Sequence, residues 1–268
     1  MCASPPQPLF NMRIPAVLII VSAFASCARP GPVLPADSGT CKDAILVLPG
    51  FGYDSKGRKS MERFAANVQG KGYRVFTADY LRKESLSASR ESIKNFIYEH
   101  RLHECERLHV LAFIAGAWSL NPLLQELKLA NLKTVVYDRS PLQERAPRVV
   151  TEEIPVIVRQ MFGAVIFEMA RTPYSPFEPG SVRTGLIVET KATSLIRFFK
   201  EEALALGPVQ FDFASFRQKH DDAVYWPFDH AQMYDRFDEL EPLLLTFIEK
   251  GRFPEDSNRS VPGDPFTR

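Results

Sequence analysis

The first thing missing from this 268-residue sequence is an imbalance of charge, since 33 basic residues meet 32 acidic ones for a formal net charge of +1. With no excess of either sign there is no whole-molecule field to gather nucleic acid or an acidic surface, so neither is expected as a partner. A long apolar run is missing too. The one candidate ends at Phe24 and follows Arg13, short of the roughly 20 residues that a permanent membrane-spanning helix needs. No internal repeat is visible, and there are only four cysteines and five histidines. What is present is ordinary for a globular chain: 45% hydrophobic and 24% charged residues, enough for one domain with a sizeable core.

The N-terminus carries an address. "MRIPAVLIIVSAFASC", Met12 to Cys27, has a basic start, an apolar stretch and small residues before a cysteine, the layout of an export signal over residues 12–26. Residues 1–11 read as an extension ahead of a start at Met12. The Pro-rich 27–40 stretch, "CARPGPVLPADSGT", reads as a linker. "FASC" resembles the lipobox of bacterial lipoproteins, which implies lipidation of Cys27. Ordinary cleavage after Ala25, in the pattern Ala23-Phe24-Ala25, is the alternative. Either route places the protein in the periplasm or outside the cell, lipid-anchored in the first case and soluble in the second.

From Cys41 onward short apolar runs alternate with amphipathic segments, the pattern of parallel strands joined by crossover helices. Six strands are expected, at 44–50, 73–79, 108–114, 132–138, 184–190 and 209–215. Each is rich in Val, Ile, Leu or Phe, as strands covered on both faces are. The run 230–251 reads as a C-terminal helix stopped by Gly251, with Pro242 as its kink or dividing point. Residues 140–183 are too long for a simple crossover and contain their own amphipathic run, so they read as an inserted helical cap. The polar, Pro-containing 252–268 is expected to be poorly ordered.

These pieces, in this order, resemble the α/β-hydrolase superfamily across residues 41–251. "LVLPGFG" is similar to the family's first strand and oxyanion loop, and "LHVLAFIAGAW" to its nucleophile elbow. The resemblance implies a doubly wound, mostly parallel six-stranded sheet of order 2-1-3-4-5-6 with a small helical cap. It also implies a site at the carboxyl ends of the strands. An active elbow reads G-x-S-x-G, with small residues two before and two after the nucleophile. Here Ala112 and Gly116 keep that frame, but its centre is Ile114, which has no lone pair to activate. The φ above zero that an elbow imposes is an outlier for a β-branched residue. The turn is therefore expected to relax, with Ile114 in β geometry or the positive φ moved to Gly116.

Other parts of the site are implied by the same resemblance. His230, before the C-terminal helix, stands where the family's base lies, with His220 the weaker equivalent. The acid's usual position falls near Thr193, with Thr190 close by, and neither can hold an imidazole as a carboxylate does. Asp138, ending the preceding strand, could replace it. The backbone amides of Phe51 and Ala115 correspond to an oxyanion site. Cys41 and Cys105 begin strands that the family places side by side, about 4.8 Å apart, which implies a disulfide between them.

Two local patterns compete with this reading. "GYDSKGRKS", 52–60, nearly spells a phosphate-binding loop, but Arg58 separates Gly57 from Lys59 and breaks the spacing. It reads as a solvated loop capping a helix that starts near Ser60. "HDDAVYWPFDH" gathers two His and three Asp without zinc or calcium-loop spacing. No metal and no cofactor are therefore expected. The sequence reads as an exported, catalytically silent α/β-hydrolase-like protein, more binding protein than enzyme. Its expected partners are a small carbonyl or carboxylate ligand or an envelope protein. The alternatives are a weak esterase or thioesterase pairing His230 with a displaced hydroxyl, Ser119 or Ser140, and a structural component of an envelope complex. An exposed apolar patch on 150–171 would favour the last.

Overall fold

Apolar side chains on both faces force a strand into the middle of a layered structure, and the first strand, β1 (Asp43–Leu48), is buried along its whole length. In a computed structural model, which describes residues 31–35 and 41–267, β1 pairs with β2 (Tyr73–Thr77) and β3 (Arg107–Ala112). The sheet continues through β4 (Leu132–Arg139), β5 (Arg183–Glu189) and β6 (Asp222–Trp226). The order is 2-1-3-4-5-6 and every pairing is parallel.

Helices cover both faces. On one, α1 (Ser55–Gln69) and the C-terminal α10 (Phe237–Lys250) pack Met61, Phe64, Leu240 and Phe247 on Ile45, Val47, Leu111 and Ile187. On the other, α2 (Leu86–Glu99) and α3 (Ile114–Leu127) pack Ile93, Ile97, Leu120 and Leu124 against the alternate residues Leu46, Val110, Val135 and Leu186. The period of two along each strand divides its side chains between the two cores. Helix starts are fixed locally: Asp54 accepts the amides of Lys56 and Gly57 at the head of α1, and Ser85 accepts that of Ala88 at the head of α2. The phosphate-loop-like stretch is thus the first turn of α1, which begins at Ser55 rather than near Ser60. Its amides are occupied by a carboxylate.

Between β4 and β5 a short 3₁₀ turn (Gln143–Arg145) leads into α4 (Ala146–Glu153), α5 (Pro155–Phe162) and α6 (Val165–Arg171). Their apolar residues Val149, Val158 and Ile166 join Ile196 and Phe199 in a third core, at α7 (Ser194–Phe198) and the start of α8 (Lys200–Ala205). Arg145 ties the two parts together by donating to the carbonyls of Ala203, Gly207 and Pro208 at 2.6–2.7 Å. The break between α5 and α6 requires glycine: Gly163 has φ +77, and a Cβ there would lie 2.3 Å from the Lys83 carbonyl oxygen.

Cys41 and Cys105 are disulfide-bonded, with their Cα atoms 4.7 Å apart, just ahead of β1 and β3. Among the described residues no helix is long and apolar enough to cross a membrane. The signal segment and Cys27 lie outside the described residues.

Four features depart from the sequence reading. Residues 209–215 are not the sixth strand. Their apolar alternation serves docking, since Phe213 stacks on Tyr225 at 4.2 Å and the Phe211 carbonyl accepts the Tyr225 hydroxyl at 2.8 Å. The ladder position belongs to Asp222–Trp226. The C-terminal helical run divides at Arg236, not at Pro242, into α9 (His230–Asp235) and α10. The division frees the Phe237 amide to donate to Ser60 Oγ at 2.9 Å, while Pro242 sits inside α10. Residues 252–267, expected to be poorly ordered, lie against the domain. Phe253 is buried on Phe247, Asn258 accepts the Tyr225 amide of β6 at 2.8 Å, and Pro265 accepts that of Ala192 at 3.0 Å. Part of the expected linker is likewise docked, with Val33 forming an antiparallel bridge to Thr77 on β2. Val33 and Asn258 thus each satisfy a backbone group on the outermost strands, where unpaired groups would otherwise remain.

Candidate functional site

The carboxyl ends of β1, β3, β4 and β5 meet the cap and α9, and the side chains there build the site. At its centre is the β3–α3 turn. Phe113 is extended (φ −71, ψ 169) and Ile114 is the first residue of α3. Neither Ile114 nor Gly116 has a positive φ. The turn has relaxed as expected without a nucleophile to present, but into helical geometry and not into the β conformation or the shift to Gly116 that the sequence suggests. The close approach survives the change: a Cβ on Gly116 would lie 2.7 Å from the Leu48 carbonyl oxygen. This is why the small-residue frame remains around an aliphatic centre.

Opposite the turn, α9 starts in a capping box made by Asp229 and Gln232, which fixes His230 as its first residue. His230 is buried. Its Nδ1 lies 2.6 Å from Glu189 Oε1 at the end of β5, in hydrogen-bonding geometry, and 3.4 Å from Asp138 Oδ2 on β4. Glu189 is therefore the near acid and Asp138 the second one. Thr193 instead caps α7 and donates to Gln143 Oε1 at 2.8 Å, while Thr190 donates to the Trp226 carbonyl at 3.1 Å.

Burial works against a charged imidazole, but Glu189 and Asp138 outweigh it and raise His230 to about 10. Burial, and then the charge of Asp138, also push Glu189 well above the usual carboxylate range. His230 is thus held toward its charged form by the two acids at its Nδ1. Among the described residues no other hydrogen-bond donor reaches either oxygen of Asp138 or Oε2 of Glu189. The three side chains could approach one metal ion. Two ligand atoms of a tetrahedral site stand about 3.4 Å apart, however, and the 2.6 Å Nδ1–Oε1 contact is that of a charge-assisted hydrogen bond.

The other imidazole nitrogen meets a hydroxyl, but not a serine's. Tyr234, one turn along α9, places its oxygen 3.0 Å from His230 Nε2 and accepts the Gly50 amide at 2.8 Å. Its ring packs on Phe113 at 4.6 Å. Burial and the charge of Asp138 raise this phenol well above its ordinary range, which keeps it neutral. Ser119 is buried within α3, and Ser140 accepts the Gln143 amide at 3.2 Å; neither is bonded to His230. His220 lies at the Gln218 carbonyl, 3.0 Å away, apart from this group. The aspartates around it each serve elsewhere. Asp221 accepts the Thr184 amide, Asp222 binds Arg259 and the Phe253 amide, and Asp229 caps α9.

In front of His230 and Tyr234 lies a cavity of about 100 Å³. Phe51, Ile114 and Ala115 line it on the sheet side, and Val150, Val158, Phe162, Ile166 and Met169 on the cap side. Phe51 and Ala115 are the residues matched to the oxyanion site, and Ala115 sits in the first turn of α3, where amides have no intrahelical partner. The walls are apolar and the few polar groups converge at the sheet end, the usual make-up of a small-ligand pocket.

Sequence reasoning missed Glu189 and Tyr234. The available signal for Glu189 was a carboxylate ending an otherwise apolar buried strand, the same feature that drew attention to Asp138. For Tyr234 there was only its place four residues after His230 on a helix.

No protein-family model matches the chain, and no curated protein matches it in sequence. Solved structures do match. The mature form of a Bacillus licheniformis lipase superposes with a TM-score of 0.57 at 13% identity, covering 81% of this chain and 99% of that one. Est1E from Butyrivibrio proteoclasticus gives 0.55 at 11% identity, covering 82% and 92%. An α/β hydrolase fold protein from Chitinophaga pinensis gives 0.49 at 10% identity, covering 85% and 99%. At such low identity the likeness speaks for architecture alone. Together with the parallel 2-1-3-4-5-6 sheet and its flanking helices, the likeness to the first two establishes that the chain has the α/β-hydrolase fold.

Proposed function

We propose that this is an exported binding protein on a hydrolase fold, which holds a small carbonyl or carboxylate ligand with an apolar tail between the sheet rim and the cap. The observation that carries this reading is Ile114 at the head of α3, an aliphatic residue where attack on a carbonyl would have to start. The apolar pocket in front of it supplies the binding half of a hydrolase site without the reacting half. On the cap, Val156 is the one large hydrophobic exposed among the described residues. The cap's other large apolar residues line the pocket or pack into the cap and sheet cores, which favours a ligand over an envelope-complex role.

Export is supported by the Cys41–Cys105 disulfide, a bond that persists in oxidising compartments. Lipidation of Cys27 completes the proposal, as a membrane tether. Mass analysis of the mature N-terminus checks it: a diacyl or triacyl mass on Cys27 is expected, and a free N-terminus after Ala25 contradicts the anchor.

A second reading, a weak ester hydrolase, is favoured by one contact, the Tyr234 hydroxyl 3.0 Å from His230 Nε2, and by likeness in fold to a lipase. The protein would then draw on a phenol for its nucleophile. p-Nitrophenyl esters from acetate to decanoate, tested with the wild type, His230→Ala and Tyr234→Phe, separate the two. Equal background rates in all three are expected. Turnover present in the wild type and lost in both variants would replace the binding reading with the hydrolase one.

A further inference from the structure

We infer that the Tyr234 hydroxyl is the group that recognises the ligand's head, donating its proton to a carbonyl or carboxylate oxygen whose apolar tail fills the cap-side pocket. This rests on the binding reading above and adds to it the atom that selects the ligand.

A phenol oxygen has two lone pairs and one proton. The Gly50 amide can only donate, and it takes one lone pair at 2.8 Å. His230 Nε2 lies 3.0 Å away, and its role follows from the other side of the ring. There Nδ1 faces two buried carboxyl groups, Glu189 at 2.6 Å and Asp138 at 3.4 Å. Two acids so placed, with no Lys or Arg paired to either among the described residues, need a positive partner, and His230 is the group they face. As an imidazolium its Nε2 donates, taking the second lone pair. The raised His230 and Tyr234 fit this arrangement, one keeping its charge and the other its proton.

With both lone pairs engaged, the hydroxyl proton has to point elsewhere. The oxygen stands where the turn, α9 and the pocket meet: a Cβ built on Gly50 would meet the Tyr234 oxygen at 2.8 Å, His230 Nε2 at 3.4 Å and the Ala115 Cβ at 3.7 Å. Tyr234, His230, Ala115 and Phe51 together line the pocket. The phenol proton is thus a polar donor at the sheet end of a mostly apolar cavity, and an acceptor oxygen on a short aliphatic chain is its complement. Tyr234 also holds the Nε2 direction along which a hydrolase base would reach its nucleophile, so the group that selects the ligand is the one that occupies the base.

The test uses methyl hexanoate carrying ¹³C at its carbonyl, with n-hexane as the headless control, on the full mature protein and on Tyr234→Phe. The wild type is expected to bind both, and the substitution to weaken ester binding about two- to tenfold, the value of one hydrogen bond, while leaving hexane unchanged. The ester's carbonyl stretch is expected at lower frequency in the wild type than in Tyr234→Phe, a shift that a merely structural tyrosine would not produce. If both ligands bind the two proteins alike and the stretch does not move, the inference is overturned and the binding reading stands. If neither ligand binds the wild type, both fail. Should Tyr234→Phe not fold, the wild-type stretch is compared with that of the ester dissolved in hexane, and coincidence of the two frequencies overturns the inference.

Discussion

Two buried histidines stand at opposite ends of the same sheet and are pushed in opposite directions. His109, near the start of β3, has Nε2 3.4 Å from Asp43 Oδ1, but Arg107 already holds that carboxylate with contacts of 2.5 and 2.6 Å. Burial dominates there, Arg107 reinforces it, and His109 is lowered despite Asp43. His230 faces two carboxyl groups with no arginine between them, and is raised to about 10 despite its burial. The lesson is that burial does not decide a histidine's charge. What decides it is whether the nearby carboxylate is still available.

The two ends also differ in what holds them, and the largest expected effect tests that. The Cys41–Cys105 bond closes a separation of 64 residues beside His109, and replacing both cysteines with serine should cost about 4 kcal/mol in urea unfolding. A loss below about 1 kcal/mol would mean that this end is secured otherwise. At the other end, His230→Leu strands Asp138 and Glu189 without their cation and should cost about 3 kcal/mol at pH 8. Less should be lost at pH 5, where the acids can take up protons. His109→Leu should change stability by no more than about 1 kcal/mol, because Asp43 keeps Arg107. Equal costs for the two substitutions would break the comparison.

The pH dependence sharpens it further. A histidine raised in the folded state binds its proton more tightly there, so the stability it contributes is fully present below about pH 6.5. That contribution is lost as pH rises through about 10. Raised Glu189 acts in the same sense. His109 acts oppositely: lowered in the folded state, it costs stability as pH falls below about 6.5. The smallest effect is spectroscopic. Imidazole carbon-bound proton shifts followed from pH 5 to 9 should leave His230 in its charged form throughout, whereas the His109 signal moves to its neutral form early. A His230 signal titrating near 6.5 would remove the imidazolium from the cluster.

Much of the fold could be read from the chain because parallel strands covered on both faces carry largely apolar runs, unbroken in Ala44–Leu48 and interrupted once, by His109, in Leu108–Ala112. The last strand could not. Asp222–Trp226 is short and begins with a charge, whereas 209–215 has stronger alternation for a different purpose, to press Phe213 onto Tyr225. The elbow was legible because sterics leave a mark: Gly116 survives for its approach to Leu48 even with Ile114 at the tip. Tyr234 leaves no such mark. On an amphipathic helix a tyrosine reads as core, and only the folded chain brings its oxygen to an amide 184 positions away.

The docking of Val33 on β2 and of Asn258 beside β6 bears on how the molecule can be handled. A version trimmed to residues 41–251, the span that sequence likeness alone would select, would bare backbone groups on both outer strands. Copies of it are then expected to join rim to rim, which the docked flanking segments would hinder.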